Sequence, residues 1–322
     1  MQKALTLIGD DLRRVEEQFK KDLESNVPLI RKVGEYVLSS GGKRIRPALL
    51  ILSSRLCGYE GEGHIPLASV VEFIHTATLL HDDVVDEATL RRGLASANTI
   101  WGNSASVLVG DFLFSKSFSL MVEHGSLRVL KALSDATTII AEGEVLQLLC
   151  TSDMTMTEER YIQVVTCKTA VLLSAACRVG AILGEVDPSR EDALAFFGMN
   201  LGIAFQIVDD TLDYVAREEE FGKSIGHDLQ EGKLTLPLIH ALSSCSEQER
   251  ELVSSVIVKD ELADEDFRAV FSIVEGHGGI DYSLARARDY VSRARESLHR
   301  FPDSPVREAL LELSDYVVTR VK

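Results

Sequence analysis

Two stretches of the sequence concentrate carboxylates at a spacing suited to chemistry on phosphates. They are Asp82-Asp83-Val84-Val85-Asp86 and Asp209-Asp210-Thr211-Leu212-Asp213. On a helix, Asp82 and Asp86 are i,i+4 neighbours on one face. Two carboxylates so placed repel each other unless a cation lies between them. Hard oxygen donors on a rigid element suit Mg²⁺, which keeps several waters and bridges to substrate phosphates. His75 and Thr78 precede Asp82 on the same face, so one stripe reads His75, Thr78, Asp82, Asp86. Around the second motif Gln206, Asp209, Asp210 and Asp213 follow i, i+3, i+4, i+7. A lone DDxxD is usually a solvated helix face or part of a capping network. Two copies, each behind a long apolar run, weaken that reading, because acidic clusters on apolar helices are costly unless neutralised.

The elements that must carry these motifs read as helices. Leu194, Phe197, Leu201, Phe205, Val208 and Leu212 step by three or four residues and form one apolar stripe. Asp187-Pro188 predicts the start of that helix, with Asp as cap and Pro in the first turn. Thr155 and Glu158 have capping-box spacing for the preceding helix, which should stop at Gly184. No segment shows strand alternation between hairpin turns, and no fixed-period repeat or low-complexity linker is present. The polar stretches 57–64, 217–232 and 243–250 read as loops or helix ends. The simplest architecture is all-α, one domain over 1–322, with many helices around a central cavity.

Bulk composition narrows the function classes. The chain has 322 residues, 45% of them hydrophobic, enough for a large core. Its formal net charge of -16 argues against general nucleic-acid binding, which needs a basic footprint. Cys57, Cys150, Cys167, Cys177 and Cys245 form no CxxC pair, so reduced thiols in a cytoplasmic setting are expected. Acidic residues come too early for a signal peptide. No charge-free apolar run reaches the length of a membrane span; residues 169–183 come closest, interrupted by Arg178.

A further set of motifs gives a resemblance. Gly41-Gly42-Lys43-Arg44-Ile45-Arg46-Pro47, the first Asp motif followed by Arg91-Arg92-Gly93, and Phe205-Gln206 leading into the second Asp motif stand in this order. In them the chain resembles the trans-isoprenyl diphosphate synthases over nearly its whole length. The resemblance implies an all-α fold, usually homodimeric, with the two Asp motifs facing each other across a deep cavity. It implies Mg²⁺ ligands at Asp82, Asp86, Asp209 and Asp213, and three Mg²⁺ ions that clamp an allylic diphosphate. Arg91, Lys168, Thr169, Gln206, Lys223 and Lys233 resemble the remaining ring around that diphosphate. Lys43, Arg46, His75 and Arg92 resemble the pocket for isopentenyl diphosphate. Each has a plainer reading: a solvated basic run at 43–46, a snorkelling Lys168, a satisfied core His75, and helix-end cations at Arg91 and Arg92. Gly222-Lys223-Ser224 mimics the end of a P-loop, but Arg217 stands where that loop needs glycine.

The implied reaction is ionisation of an allylic diphosphate, most simply farnesyl diphosphate, followed by attack of the isopentenyl alkene and loss of a proton. In the family the released diphosphate takes that proton. The catalytic candidates are therefore groups that stabilise a cation: the Lys168 carbonyl, the Thr169 hydroxyl and the Gln206 amide oxygen. Short-chain members carry bulky aromatics just before the first motif, where this chain has Ala77 and Thr78. Small residues leave the cavity open there, which favours an all-trans product of about eight isoprene units, a quinone side-chain precursor. The floor would lie deeper, among Leu113, Phe114 and Phe118 or within 128–148. Three rival readings remain: a shorter-chain geranylgeranyl synthase, a class I terpene cyclase, which needs no second phosphate pocket, and a non-catalytic subunit of a heteromeric synthase.

Overall fold

The computed structural model describes residues 2–215, 226–259 and 262–319. They form two compact units. The first comprises Met1–Thr137, Leu172–Gly198 and Ser297–Leu313, and the second comprises Thr138–Val171, Met199–Glu296 and Ser314–Lys322.

Unit one is built on α1 (Gln2–Asp22), α2 (Pro28–Ser39), α3 (Ile45–Leu56) and α4 (His64–Val85). After a short hairpin come α5 (Ala97–Trp101), α6 (Asn103–His124) and the start of α7 (Leu127–Cys150). Helix α4 is apolar on almost every face, the mark of a central helix. Ile65, Leu67, Val70, Val71, Phe73, Ile74, Ala77 and Leu80 are all buried, and α1, α3 and α6 pack around them. Phe73 stacks on Phe19 of α1 with ring centroids 4.3 Å apart. Burying one such ring is worth about 2 kcal/mol. This packing holds the far end of α4, where the first Asp motif begins, on a rigid support.

Unit two holds the rest of α7, α8 (Glu158–Val165), a π-helical turn at Thr166–Ala170, and the later part of α10 (Pro188–Val215). Helices Leu236–Leu242, Glu247–Ile257, Asp264–Gly276 and most of Gly279–Ser297 complete its core through Leu236, Leu238, Val253, Val270 and Val274. Helix α9 (Val171–Leu183) follows the π turn directly and belongs almost wholly to unit one.

Several sequence expectations hold. Asp187 Oδ1 accepts from the backbone N–H groups of Ser189 and Arg190, so it caps α10 as read, and α9 ends one residue before Gly184. All five cysteines are free thiols.

Others need correction. The cap of α8 is Thr157, whose hydroxyl accepts from Arg160 N–H, while Thr155 bonds Asp153 instead. Thr157 caps by a single bond to Arg160 N–H, without a Glu or Gln at the third helical position, so capping-box spacing pointed to the wrong threonine. Residues 247–257 form a full helix entered through a Ser246–Glu249 capping box. There is also a hairpin: Leu90–Arg91 pairs antiparallel with Leu94–Ala95 across Arg92-Gly93. Arg92 and Gly93 both have positive φ, 53° and 77°, the condition for a type I′ turn. With two-residue strands, no alternation was there to be read.

The expectation of no membrane span, drawn from the lack of a charge-free apolar run of that length, is not supported. Asn103–His124, Glu158–Leu183 and Pro188–Val215 are each long and apolar enough to cross a membrane by length and composition. Requiring a charge-free run was too strict, because such windows tolerate an occasional charge, as Arg178 shows. The windows are 39%, 72% and 72% buried within the protein, so the latter two are mainly core helices.

Candidate active site

The sequence candidates fall into two sets, one in each unit. In unit one, Asp82 lies in the last turn of α4 and Asp86 caps its end, donating its N–H to the Asp82 carbonyl at 2.8 Å. The i,i+4 relation therefore survives, although the helix stops one residue short of the motif's end. Both side chains are half-buried. Asp83, between them, is 1% exposed and accepts from Arg91 Nε at 2.6 Å. Burial pushes the Asp83 carboxyl up and the Arg91 guanidinium opposes that shift. Asn98 Nδ2 of α5 donates to the Asp83 carbonyl at 2.9 Å and ties that helix to the same point.

The basic set gathers beside this. A Cβ on Gly42 would stand 3.0 Å from Arg92 Nη1, so the backbone at Gly42 packs against that guanidinium. Burial holds the His75 imidazole well below its ordinary range, and Arg46, Arg92, Arg91 and Arg44 push it further the same way. The imidazole lies within the field of several cations, which suits it to hydrogen-bond an anion that the arginines attract. Thr78 turns its hydroxyl back to the His75 carbonyl at 2.7 Å, and Ala77 is fully buried.

In unit two, the centre is a chain of hydrogen bonds. Thr169 Oγ1 donates to Gln206 Oε1 at 2.9 Å, and Gln206 Nε2 donates to Asp210 Oδ1 at 2.7 Å. The Tyr161 hydroxyl donates to Asp210 Oδ2 at 2.6 Å. Burial pushes the Asp210 carboxyl up to about 7, against those two donors. Asp209 remains exposed and Asp213 half-buried, so the motif splits into an outward carboxylate and an inward one. Asp213 Oδ2 accepts from the Asp228 N–H at 2.9 Å. Burial, then Asp210 and Asp213, raise the Asp228 carboxyl well above its ordinary range.

Lys168 and Thr169 sit inside the π turn, where Val171 N–H reaches five residues back to the Thr166 carbonyl. Such a turn breaks the i→i+4 ladder and frees carbonyls, and it recurs at functional positions. Two glycines make room for it. A Cβ at Gly202 would lie 2.5 Å from Ala170 Cα, and one at Gly143 would lie 2.6 Å from Cys167 Cβ. Replacing Gly202 by Val is therefore expected to cost about 1–3 kcal/mol. A melting temperature lower by about 1–5 °C should accompany a fall in kcat, because the turn carrying Thr169 must shift. A thermal melt and steady-state kinetics check both.

The two lysines of this set are each held by a carboxylate. Lys168 Nζ lies 2.6 Å from Glu144 Oε2, and Lys233 Nζ lies 2.6 Å from Glu231 Oε2. Lys223 lies outside the described residues. Sequence reasoning missed Asp83, Tyr161, Asp228, Glu144 and Glu231 as partners of the site. The doubled Asp of each motif was the available signal for Asp83 and Asp210. Nothing marked Tyr161 or Glu144, which meet the site only through folding.

Among the described residues, no three His, Cys, Asp or Glu side chains group tightly enough to hold a metal by themselves. The donor set still fits Mg²⁺, which is bound through one or two carboxylates and completes its octahedron with water and substrate phosphates.

Residues 27–274 match the polyprenyl synthetase family model. The chain belongs to the polyprenyl synthetase family. It is 43% identical over 320 residues to the octaprenyl diphosphate synthase of Escherichia coli K12, covering 99% of each chain. A solved polyprenyl synthase from Caulobacter crescentus CB15, complexed with calcium and isoprenyl diphosphate, matches with a TM-score of 0.96 and 42% identity. That match covers 100% of this chain and 98% of the other. A decaprenyl diphosphate synthase from Rhodobacter capsulatus matches with a TM-score of 0.94 and 43% identity, covering 100% and 99%. The all-α class and the prenyl chain-elongating activity expected from the motifs are those of this family. The synthase carries both Asp motifs and the basic set within the matched range.

Proposed function

We infer that the synthase condenses isopentenyl diphosphate with an allylic diphosphate, farnesyl diphosphate being the expected primer, and extends it to an all-trans product. The product length we assign is that of the octaprenyl relative, about eight isoprene units. One observation carries the reading. One hairpin of unit one sets Arg91 against the Asp83 carboxylate and Arg92 against Gly42, with Arg46 and His75 near the latter, and this separation supports our assignment of two anion seats. A class I cyclase has no use for the second seat.

In this reading Asp82, Asp86, Asp209 and Asp213 are the residues that would hold Mg²⁺, which when bound would supply charge neutralisation for the departing diphosphate. Arg91, Lys168, Lys233 and, by family pattern, Lys223 are the residues we assign to binding that diphosphate, with Lys168 and Lys233 exchanging Glu144 and Glu231 for phosphate oxygens. Lys43, Arg46, His75 and Arg92 seat the isopentenyl diphosphate. The hydrogen bond that Thr169 donates to Gln206, and the one that Gln206 donates to Asp210, hold the two oxygens fixed, so they meet the growing positive charge without reorganising. The allylic C–O bond breaks, the isopentenyl alkene supplies the electron pair of the new C–C bond, and the released diphosphate accepts the proton. The partner we assign is a second copy of the chain. Leu108, Phe118 and Val122 lie on one exposed α6 face at heptad-like spacing and would be covered in a dimer. Five free thiols fit a cytoplasmic location.

Labelled isopentenyl diphosphate with farnesyl diphosphate and Mg²⁺ tests the whole reading, with products resolved by mass spectrometry. An octaprenyl chain is the expected product. Absence of label from any lengthened chain rejects the elongation reading. A hydrocarbon formed from the allylic substrate alone marks a cyclase.

A further inference from the structure

Arg44 sits between two residues of the isopentenyl diphosphate seat, yet its own side chain turns away from it. It is the residue before α3 and adopts φ 48°, ψ 33°, a left-handed conformation that a non-glycine residue holds only when its surroundings over-determine it. Those surroundings are three elements of unit one. Nη1 donates to Glu72 Oε2 of α4 at 3.1 Å, Nε to Glu16 Oε1 of α1 at 3.2 Å, and Nη2 to the Leu38 carbonyl in the last turn of α2 at 2.9 Å. Glu72 is only 5% exposed, so little water can replace this partner. On α4, Glu72 stands one turn before His75 on the same face. The guanidinium therefore fixes the 41–47 segment directly over the stretch of α4 that carries His75.

We propose that Arg44 is the positioning residue of the isopentenyl diphosphate seat: its ties to the buried Glu72, the half-exposed Glu16 and the Leu38 carbonyl hold the left-handed turn that sends Lys43 and Arg46 to the anion. This rests on the seat assigned above. Three hydrogen bonds from one planar fork cannot be reproduced by an ammonium, so lysine is not a conservative replacement here. With the tie loosened, Lys43 and Arg46 keep their charges but lose their fixed spacing. The loss then falls on isopentenyl diphosphate and leaves the allylic substrate unaffected.

The experiment compares Arg44→Lys, Glu72→Gln, the double variant and Arg46→Ala in the full-length enzyme, all well below their melting temperatures. Expected for Arg44→Lys and for Glu72→Gln is a KM for isopentenyl diphosphate raised about tenfold. The allylic KM and the kcat at saturation should stay within about twofold, and the double variant should be no worse than either single one. An unchanged isopentenyl KM in Arg44→Lys, or equal losses for both substrates with kcat, overturns the proposal and leaves a merely structural ion pair. If Arg44→Lys does not fold, Glu72→Gln decides by the same criteria. Arg46→Ala separates the two levels: if it leaves the isopentenyl KM unchanged, the seat itself is wrong. If it raises that KM while the Arg44 and Glu72 variants do not, only the positioning role fails.

Discussion

Asp82→Ala is expected to lower turnover about a thousandfold or more while leaving the fold intact. Each factor of ten corresponds to about 1.4 kcal/mol of barrier, and a metal that neutralises a leaving diphosphate supplies several kcal/mol. Asp82 is half-buried at the end of α4, and the turn there is closed by its backbone carbonyl accepting from Asp86 N–H at 2.8 Å. Truncating the side chain leaves that bond in place. Circular dichroism melts should therefore match the parent while steady-state rates collapse. Near-parental turnover would remove the metal assignment. Its neighbour Asp83 behaves differently, because it is buried and grips Arg91. Losing it would strand a guanidinium and disturb the hairpin together with the activity.

Ala77→Tyr is expected to shorten the product to the length at which the chain meets the new ring. Ala77 is fully buried, and that burial has two physical readings. If the space beside it is packed core, a tyrosine overfills it and costs about 1–3 kcal/mol with no change in product length. If the space is the path of the growing chain, the ring sits in that path and the melting temperature holds within about 2 °C. Product mass and a thermal melt on one variant separate the readings. A longer-chain distribution identical to the parent's would sink the tunnel assignment. Thr78 is a poorer place for the experiment, because its hydroxyl is committed to the His75 carbonyl.

The sequence was most legible where chemistry imposes strict spacing on a regular element. The i,i+4 pair Asp82 and Asp86, the stripe through Leu194, Phe197 and Leu201, and the Asp187 cap could be read because a helix fixes which residues share a face. Legibility failed where partners come from elsewhere in the chain. Lys168 and Lys233 read as cations for an anion, and nothing local marked Glu144 as a carboxylate within 2.6 Å of the first. The inward turn of Asp210 depends on Tyr161, forty-nine residues earlier, which no period reveals. Arg44 read as one of a basic run, but a left-handed backbone angle sends it into the core. The hairpin at Arg91 to Gly93 was invisible for a different reason: two-residue strands carry no alternation.

That hairpin has a thermodynamic consequence. Arg91 and Arg92 are joined by one peptide bond, yet one leans on Asp83 and the other on Gly42. In the proposed assignment they serve different substrates. An anion that orders the turn through one arginine lowers the ordering cost that the other must meet. The two diphosphates would then strengthen each other's binding by one and the same factor, whichever arrives first.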